Sequence, residues 1–171
     1  MVDTYLFHNI GNDPHGNYHT PEQVKQCEGN LTFDGIYLNV YEQRHLLKDR
    51  NPILYFMGDF IGKDNKFDQK NNQPPLEKYC TMEQLKEMEL MGCTLGWHTW
   101  SHPWLTGLTD FELKKEVTPV FPMDYFCYPY GDFDARVIEA VKEAGFKYAH
   151  TCTRGDNSPY QMTRRMEKNI S

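Results

Sequence analysis

Two histidines four residues apart, His98 and His102, are the residues of this sequence whose types and spacing best suit chemistry. They follow a short apolar run, and Pro103 comes directly after them. Two imidazoles at this spacing can point the same way from one helical turn. Neutral imidazole is the commonest protein ligand for a divalent metal, so the pair predicts a metal site at the end of a strand. The alternative is that one or both histidines are ordinary surface or packed residues.

Other polar residues fall directly after segments that read as strands. Each of these positions comes just past the carboxyl end of a predicted strand: His8, Asp34, His98 and the turn Pro129-Tyr130. The carboxyl ends of parallel strands in a barrel meet at one rim, and that rim carries the chemistry of barrel enzymes. We therefore expect these four strand ends to contribute to one site.

The elements needed to position that site alternate between strand and helix along the chain. Two capping boxes, Thr81 to Gln84 and Thr109 to Glu112, predict helix starts, and Asp134 is suited to cap a third helix. Strands are predicted at 4–8, 30–34, 52–57, 93–98, 125–128 and 147–151, with 160–166 as a last, edge strand.

Strand and helix in alternation predict an α/β fold built on a parallel sheet with helical crossovers. A full eight-stranded barrel usually needs about 250 residues, whereas this chain has 171. We therefore predict one domain over residues 1–171, a trimmed and incompletely closed (β/α) barrel of six or seven parallel strands.

Composition limits the classes of partner. The net charge of −6 disfavours nucleic acid, and no apolar run is long enough to span a membrane. The first residues lack a basic start and a long apolar segment, so we expect no signal peptide and a cytoplasmic location. Five cysteines without a C-x-x-C pair favour reduced thiols. The sequence does not indicate an oligomeric state.

Three segments together resemble the polysaccharide deacetylase (NodB-like) family, the family-four carbohydrate esterases. Leu31-Thr32-Phe33-Asp34-Gly35 resembles the Thr-Phe-Asp-Asp motif of that family. The segment from Gly96 to Leu105, GWHTWSHPWL, is similar to its His-Thr-x-x-His-Pro-x-Leu metal-binding motif. Phe126 to Asp134, FCYPYGDFD, is similar to its Tyr-Pro-Tyr-Gly segment. The resemblance covers nearly the whole chain, from about Tyr5 to Gly155, and implies the NodB-like barrel fold.

The resemblance implies removal of an N- or O-acetyl group from a sugar by a metal-bound water. Carried over position by position, Asp34 matches the catalytic base, His98 and His102 match the two metal-ligand histidines, and the backbone N–H of Tyr130 matches the oxyanion donor. The implied cofactor is a divalent metal, most simply zinc, and the implied partner is an acetylated carbohydrate.

Further residues are candidates for handling substrate. His8 could serve as general acid or substrate contact, with His150 as a second candidate for the acid, although a structural role fits either. Aromatic faces stack on the apolar faces of sugar rings, so a glycan groove is predicted from neighbouring residues of the motifs. The predicted groove residues are Trp100, Trp104, Pro129 and Tyr130.

One position departs from the family pattern. Gly35 stands where the family has a second aspartate, its third metal ligand, so weak metal binding is expected. Asp34 could become the third ligand, a carboxylate such as Asp13 or Asp59 could replace it, or the site could be poor in metal. The competing functions are therefore a deacetylase and a glycan-binding pseudoenzyme, with hydrolysis of another small amide as a third.

Overall fold

The computed structural model describes residues 3–12, 18–66 and 77–166. Asp13, one of the carboxylates considered as a replacement ligand, lies outside these ranges. The strands are β1 Thr4–Phe7, β2 Asn9–Ile10, β3 Tyr18–His19, β4 Asn30–Asp34, β5 Ile53–Phe56, β6 Thr94–Trp97, β7 Tyr125–Cys127, β8 Tyr148–Thr151, β9 Met162–Thr163 and β10 Arg165–Met166. The α-helices are α1 Pro21–Gln26, α2 Leu38–Glu42, α3 Met82–Leu90, α4 Asp110–Val117 and α5 Ala135–Glu143.

The main sheet is a nearly closed barrel of parallel strands. Its strand order is β10-β1-β4-β5-β6-β7-β8-β9, and β2 pairs with β3 in a separate two-stranded sheet. Strands β9 and β10 are two halves of one final strand, separated by the single residue Arg164. Counted in this way the barrel has seven strands, which confirms the predicted fold.

The final strand differs from the prediction in its place in the barrel. We predicted the segment 160–166 as an edge strand, but β9 pairs with β8 while β10 pairs with β1. The segment therefore joins the last and first strands of the barrel, and it brings Arg164 to this junction. An edge strand and a closing strand look alike in sequence because both are short and moderately polar.

The helices begin where the capping residues predict. The side chains of Thr81 and Thr109 accept hydrogen bonds from the backbone N–H groups three residues on, and both capping boxes are complete. Asp134 accepts from the N–H of Val137 at the start of α5. In the described ranges, none of the helices has the length and apolar composition that crossing a bilayer requires.

Side-chain alternation gives the barrel an apolar outside and a polar inside. In register, Asp34 of β4 pairs with Tyr55 of β5, and Cys127 of β7 pairs with His150 of β8. These four side chains are buried and point into the barrel, where they meet Arg164. The intervening residues of the same strands pack in the apolar core: Phe33, Leu54, Phe126 and Ala149. The barrel interior is therefore a buried polar cluster.

Candidate active site

The centre of the polar cluster is a buried ion pair between Asp34 and Arg164. Arg164 Nη1 donates to Oδ1 of Asp34 at 2.6 Å, and Nη2 donates to Oδ2 at 2.8 Å. The same guanidinium donates to Thr32 Oγ1 at 3.1 Å and lies over the ring of Tyr55, 5.5 Å from its centroid. Two parallel bonds from a planar guanidinium fix both the position and the orientation of the carboxylate.

This ion pair determines the charge of Asp34. Burial alone would raise the pKa of its carboxyl, but the charge and hydrogen bonds of Arg164, with a contribution from His98, hold that pKa well below its usual value. Beside the pair, Cys127 Sγ lies 3.0 Å from Arg164 Nη2 and 3.5 Å from Asp34 Oδ2. Burial raises the pKa of the Cys127 thiol well above its usual value, so this group is a neutral thiol at neutral pH.

His98 and His102 converge at the mouth of the barrel, next to Asp34. Their Nε2 atoms are 3.2 Å apart, and Nε2 of His98 is 3.8 Å from Oδ2 of Asp34. The Nδ1 atom of His98 is 2.9 Å from the backbone carbonyl of Cys127, which can only accept a hydrogen bond. Nδ1 therefore carries the hydrogen, and the lone pair of Nε2 points towards His102 and Asp34.

The turn that presents these histidines is not helical, contrary to our prediction of one helical turn. Thr99 and His102 have φ values of 68° and 61°, which is the left-handed region. The Oγ1 of Thr99 accepts from the N–H of His102 at 3.0 Å, so the turn is stabilised by side chains. Burial lowers the pKa of His98 and lowers that of His102 to about 3, so both rings are neutral at neutral pH.

Gly35 follows Asp34 in a left-handed conformation, with φ of 61°. A Cβ added at this residue would lie 3.3 Å from the side chains of both Met57 and Tyr79. Residue 35 supplies no carboxylate to the site. Asp59, the other carboxylate considered as a replacement, is exposed and is outside the group of possible ligands that the described residues form.

The arrangement fits a divalent metal held first by the two histidines. Ligand atoms bonded to one tetrahedral ion at 2.0–2.1 Å are about 3.3 Å apart, close to the 3.2 Å between the two Nε2 atoms. Asp34, His98 and Cys127 also place one possible ligand atom each within 4.8 Å of one another. However, the Arg164 guanidinium already contacts both the thiol and the carboxylate, and a cation on that side would meet its charge. The positions of the ligand atoms therefore favour an ion on the side of His98 that faces His102.

Two further histidines lie in the same interior. His8 comes directly after β1, whose Phe7 pairs with Phe33, so His8 is beside Asp34. Burial lowers the pKa of His8 to about 4. His150 lies deeper, where its Nδ1 is 2.5 Å from the hydroxyl of Tyr55, and burial lowers its pKa to about 3. His8 is therefore placed to contact a ligand of this site, whereas His150 is engaged in a buried pair.

The aromatic residues predicted to contact a glycan separate into two groups. Trp104 and Tyr130 are 61% and 46% exposed and stack on each other with centroids 4.4 Å apart and planes 12° apart. The rings of Tyr130 and His102 also meet edge to face, with centroids 4.5 Å apart. By contrast, the indole N–H of Trp100 donates to the Thr118 carbonyl and its ring packs against Trp97. Pro129 is buried at the start of the turn in which Tyr130 has φ of 58°.

Sequence reasoning did not find two residues that determine the geometry of this site. Arg164 pairs with Asp34 across 130 positions of sequence, and only the adjacent arginines in a β-prone segment pointed to it. Glu116 on α4 bonds to the turn that carries the histidines, although it looks like an ordinary helix carboxylate in sequence. Arg164 acts at the junction of the last and first strands, whereas Glu116 connects α4 with the turn that follows β6.

Comparison with solved structures reveals the same fold in several deacetylases. The deacetylase PplD of Streptococcus pyogenes, in complex with acetate, superposes with a TM-score of 0.75 at 15% identity, covering 97% of this chain and 92% of that one. IcaB from Ammonifex degensii gives a TM-score of 0.74 at 18% identity, covering 98% of this chain and 93% of that one. BC0361, a polysaccharide deacetylase from Bacillus cereus, gives 0.70 at 18% identity, with coverage of 95% and 63%.

Sequence comparison gives the family. Among proteins of curated function, none matches this chain in sequence. The family model for polysaccharide deacetylase matches residues 22–149, which include Asp34, His98, His102 and the turn at Tyr130. This match covers most of the chain and agrees with the observed barrel and with the resemblance carried by the three motifs. The chain therefore belongs to the polysaccharide deacetylase family.

Proposed function

We propose that this protein is a metal-dependent hydrolase that removes acetyl groups from N-acetylated sugars. The observation that carries the proposal is the convergence of His98 and His102, with Nε2 atoms 3.2 Å apart, beside the oriented carboxylate of Asp34. Two neutral imidazoles and an ionised carboxylate at the mouth of a parallel barrel are the parts that hydrolysis by an activated water requires.

His98 and His102 would hold the ion, with zinc the simplest choice for a site of imidazole ligands. A bound divalent ion would supply Lewis acidity, polarising the acetyl carbonyl and lowering the pKa of water. With one carboxylate fewer than the family motif, the site is expected to bind zinc weakly. The carbonyl of Cys127 contributes by fixing the tautomer and orientation of the His98 ring.

We assign the role of general base to Asp34. Its Oδ2 atom is the carboxylate oxygen nearer to His98, and Arg164 keeps the group ionised and oriented. The backbone N–H of Tyr130 would stabilise the oxyanion, in a turn whose side chain contacts His102. His8 would contact the substrate from the neighbouring strand, as a neutral imidazole, because burial lowers its pKa to about 4.

The stacked pair of Trp104 and Tyr130 supports a carbohydrate substrate. An exposed, flat aromatic surface beside the catalytic residues is suited to the apolar face of a sugar ring. Trp100 was predicted to share this role, but its packing against Trp97 and Thr118 makes it a support for the turn. We therefore assign the sugar contact to Trp104 and Tyr130, and Pro129 shapes the turn beneath them.

Acetate release tests the proposal directly. Acetylated chito-oligosaccharides would be incubated with the protein in the presence of zinc, of cobalt and of a chelator. We expect release with added metal and none with chelator, and we expect Asp34→Asn and His98→Ala each to abolish it. His45→Ala is the matched control, because His45 is an exposed histidine outside the three motifs. Zinc affinity that is the same in native protein and Asp34→Asn would support the base role over the ligand role.

The second candidate function is glycan binding without cleavage. Gly35 favours it, because this residue removes one carboxylate, and so does the engagement of both Asp34 oxygens by Arg164. Saturable binding of the same oligosaccharides, with no acetate released under any metal condition, would establish this function and exclude the first.

A further inference from the structure

Helix α4 supplies a carboxylate to the turn that carries the two histidines. Oε2 of Glu116 accepts hydrogen bonds from the backbone N–H groups of Trp100 and Ser101, at 2.9 and 3.0 Å. Oε1 of Glu116 accepts from the hydroxyl of Ser101 at 2.7 Å. The residue is buried, on the same helix as the buried apolar residues Leu113 and Val117. All three bonds of this carboxylate therefore go to residues between His98 and His102.

The turn needs such a partner because its backbone is unfavourable by itself. Thr99 and His102 are both left-handed, a conformation that disfavours residues with a Cβ and persists only where the surroundings impose it. The first anchor is the pairing of the turn with the segment after β5, where Gly58 and Asp59 donate to the carbonyls of Thr99 and Trp100. Those bonds satisfy two carbonyls of the turn but do not involve the N–H groups of Trp100 and Ser101.

Glu116 provides the second anchor, on the N–H side of the same turn. The backbone carbonyl of Glu116 also accepts from the indole N–H of Trp97, and the Thr118 carbonyl accepts from that of Trp100. The end of α4 is therefore bonded to the segment before His98 and to the segment before His102. A shift of the carboxylate would move one imidazole relative to the other.

We infer that Glu116 is a positioning residue, which fixes the separation of the two histidine Nε2 atoms by holding the turn between them. The inference rests on the proposed metal site, and it assigns to α4 a part in metal affinity that the helix would not have as a packing element. A carboxylate accepting two successive backbone N–H groups leaves the turn little freedom to relax. Loss of a residue that orients metal ligands typically weakens metal binding by about 10- to 100-fold.

The alternative is that Glu116 serves only to attach α4 to the barrel, and Glu112 offers a matched control for it. Glu112 lies one turn earlier on the same helix and is exposed. Its carboxylate completes the capping box with Thr109 through bonds of 2.9 and 2.7 Å. Glu112→Ala therefore weakens the start of α4 by removing an acidic side chain that does not contact the turn between His98 and His102.

The first experiment measures zinc affinity by competition titration with a chromophoric chelator. We expect Glu116→Ala to bind zinc about 10- to 100-fold more weakly than native protein, with Glu112→Ala unchanged. Glu116→Gln keeps an acceptor oxygen and should lose less than the alanine variant. Should Glu116→Ala not fold, Ser101→Ala removes one of the three bonds and should weaken zinc binding by about 3- to 10-fold. Equal zinc affinity in Glu116→Ala and Glu112→Ala would overturn the inference, as would unchanged affinity in Ser101→Ala.

A second readout is independent of metal. In chelator-treated protein, the imidazole ¹⁵N signals of His102 report its contact with the neighbouring ring, so His98→Ala should shift them. We expect this shift in the native and Glu112→Ala backgrounds and a much smaller shift in the Glu116→Ala background. Equal shifts in all three would overturn the positioning role. Native protein that binds no zinc but shows this pattern would refute the proposed metal-dependent function and leave the role of Glu116 established.

Discussion

Replacing Arg164 by methionine should destabilise the protein strongly at neutral pH and much less in mild acid. The substitution leaves the Asp34 carboxylate buried without a cationic partner, because both of its short hydrogen bonds come from Arg164. Removing one partner of a buried ion pair costs about 3 to 5 kcal/mol. For a chain of this length that corresponds to a fall in Tm of about 6 to 20 °C.

The pH dependence follows from the direction of the pKa shift. In the native protein the pKa of Asp34 is held below its usual value, so the ion pair stabilises the fold at neutral pH and is lost only in strong acid. In Arg164→Met, burial becomes the main influence on the pKa of Asp34, and burial raises the pKa of a carboxyl group. The uncompensated charge then destabilises the variant above the raised pKa and is neutralised below it. The stability difference between native protein and variant should therefore narrow as the pH falls from 8 to 5.

The assay is urea unfolding of chelator-treated protein at several pH values, with Arg50→Met as the control. Arg50 is a half-buried arginine that donates to the backbone carbonyls of Val24, Cys27 and Gly29. Its replacement therefore does not leave a buried carboxylate without its partner. The loss of stability caused by Arg50→Met should therefore not vary with pH. In addition, Asp34→Asn combined with Arg164→Met should be at least as stable as Arg164→Met alone. If Arg164→Met lost the same stability at every pH, as Arg50→Met should, Asp34 would not depend on Arg164 for its charge.

Three further predictions concern other parts of the site. Trp104→Ala should raise the KM for acetylated oligosaccharides by about 2- to 10-fold with little change in kcat, as expected for loss of one stacked aromatic, and an unchanged KM in steady-state assays would exclude the sugar contact. Gly35→Ala should lower the free energy of unfolding by about 1 to 2 kcal/mol because φ at this residue is 61°, measured by urea unfolding against Gly107→Ala, where an added Cβ has open space. The pKa of His8 is lowered to about 4 and that of His150 to about 3, so unfolding takes up protons as pH decreases from 6.5 towards 4.5. The free energy of unfolding should fall over this range with a slope that approaches about 1.4 kcal/mol per pH unit for each histidine. His150→Asn should reduce that slope by one proton, and an unchanged slope would show that His150 is not buried and neutral.

The parts of this molecule that sequence predicts are those encoded locally. The helix starts at Thr81, Thr109 and Asp134 were predictable because the capping interactions span only three residues. Strand β5 was predictable because a strand buried on both faces reads as one continuous apolar run. The position of Asp34 at a strand end was predictable for a similar reason, since strand ends of a parallel sheet share one rim.

The parts that sequence did not predict depend on contacts between different elements of the fold. A histidine pair four residues apart suggests a helical turn, but the actual turn has two left-handed residues and bonds to the Thr99 side chain and to Glu116 from another element. The role of Arg164 requires the last strand to meet the first, and the short segment gave no sign of which strands it would join. Trp100 and Trp104 have the same residue type and neighbouring positions, and only the fold separates the packed one from the exposed one.

The charges around the two histidines determine how a site with one carboxylate fewer than the family motif would hold a divalent ion. Asp34 and Arg164 cancel each other, and the imidazoles of His98 and His102 are neutral, so the metal-free cluster has no net charge. Such a cluster is stable in a buried interior, where an unpaired charge would be costly. A divalent ion would therefore enter without a compensating anion, whereas an aspartate at residue 35 would contribute one. Without a carboxylate at residue 35, the site would bind the ion more weakly. The positive charge of the ion would also be less neutralised, so it would polarise a substrate carbonyl more strongly. Weak zinc binding and acetyl hydrolysis are therefore compatible in this chain.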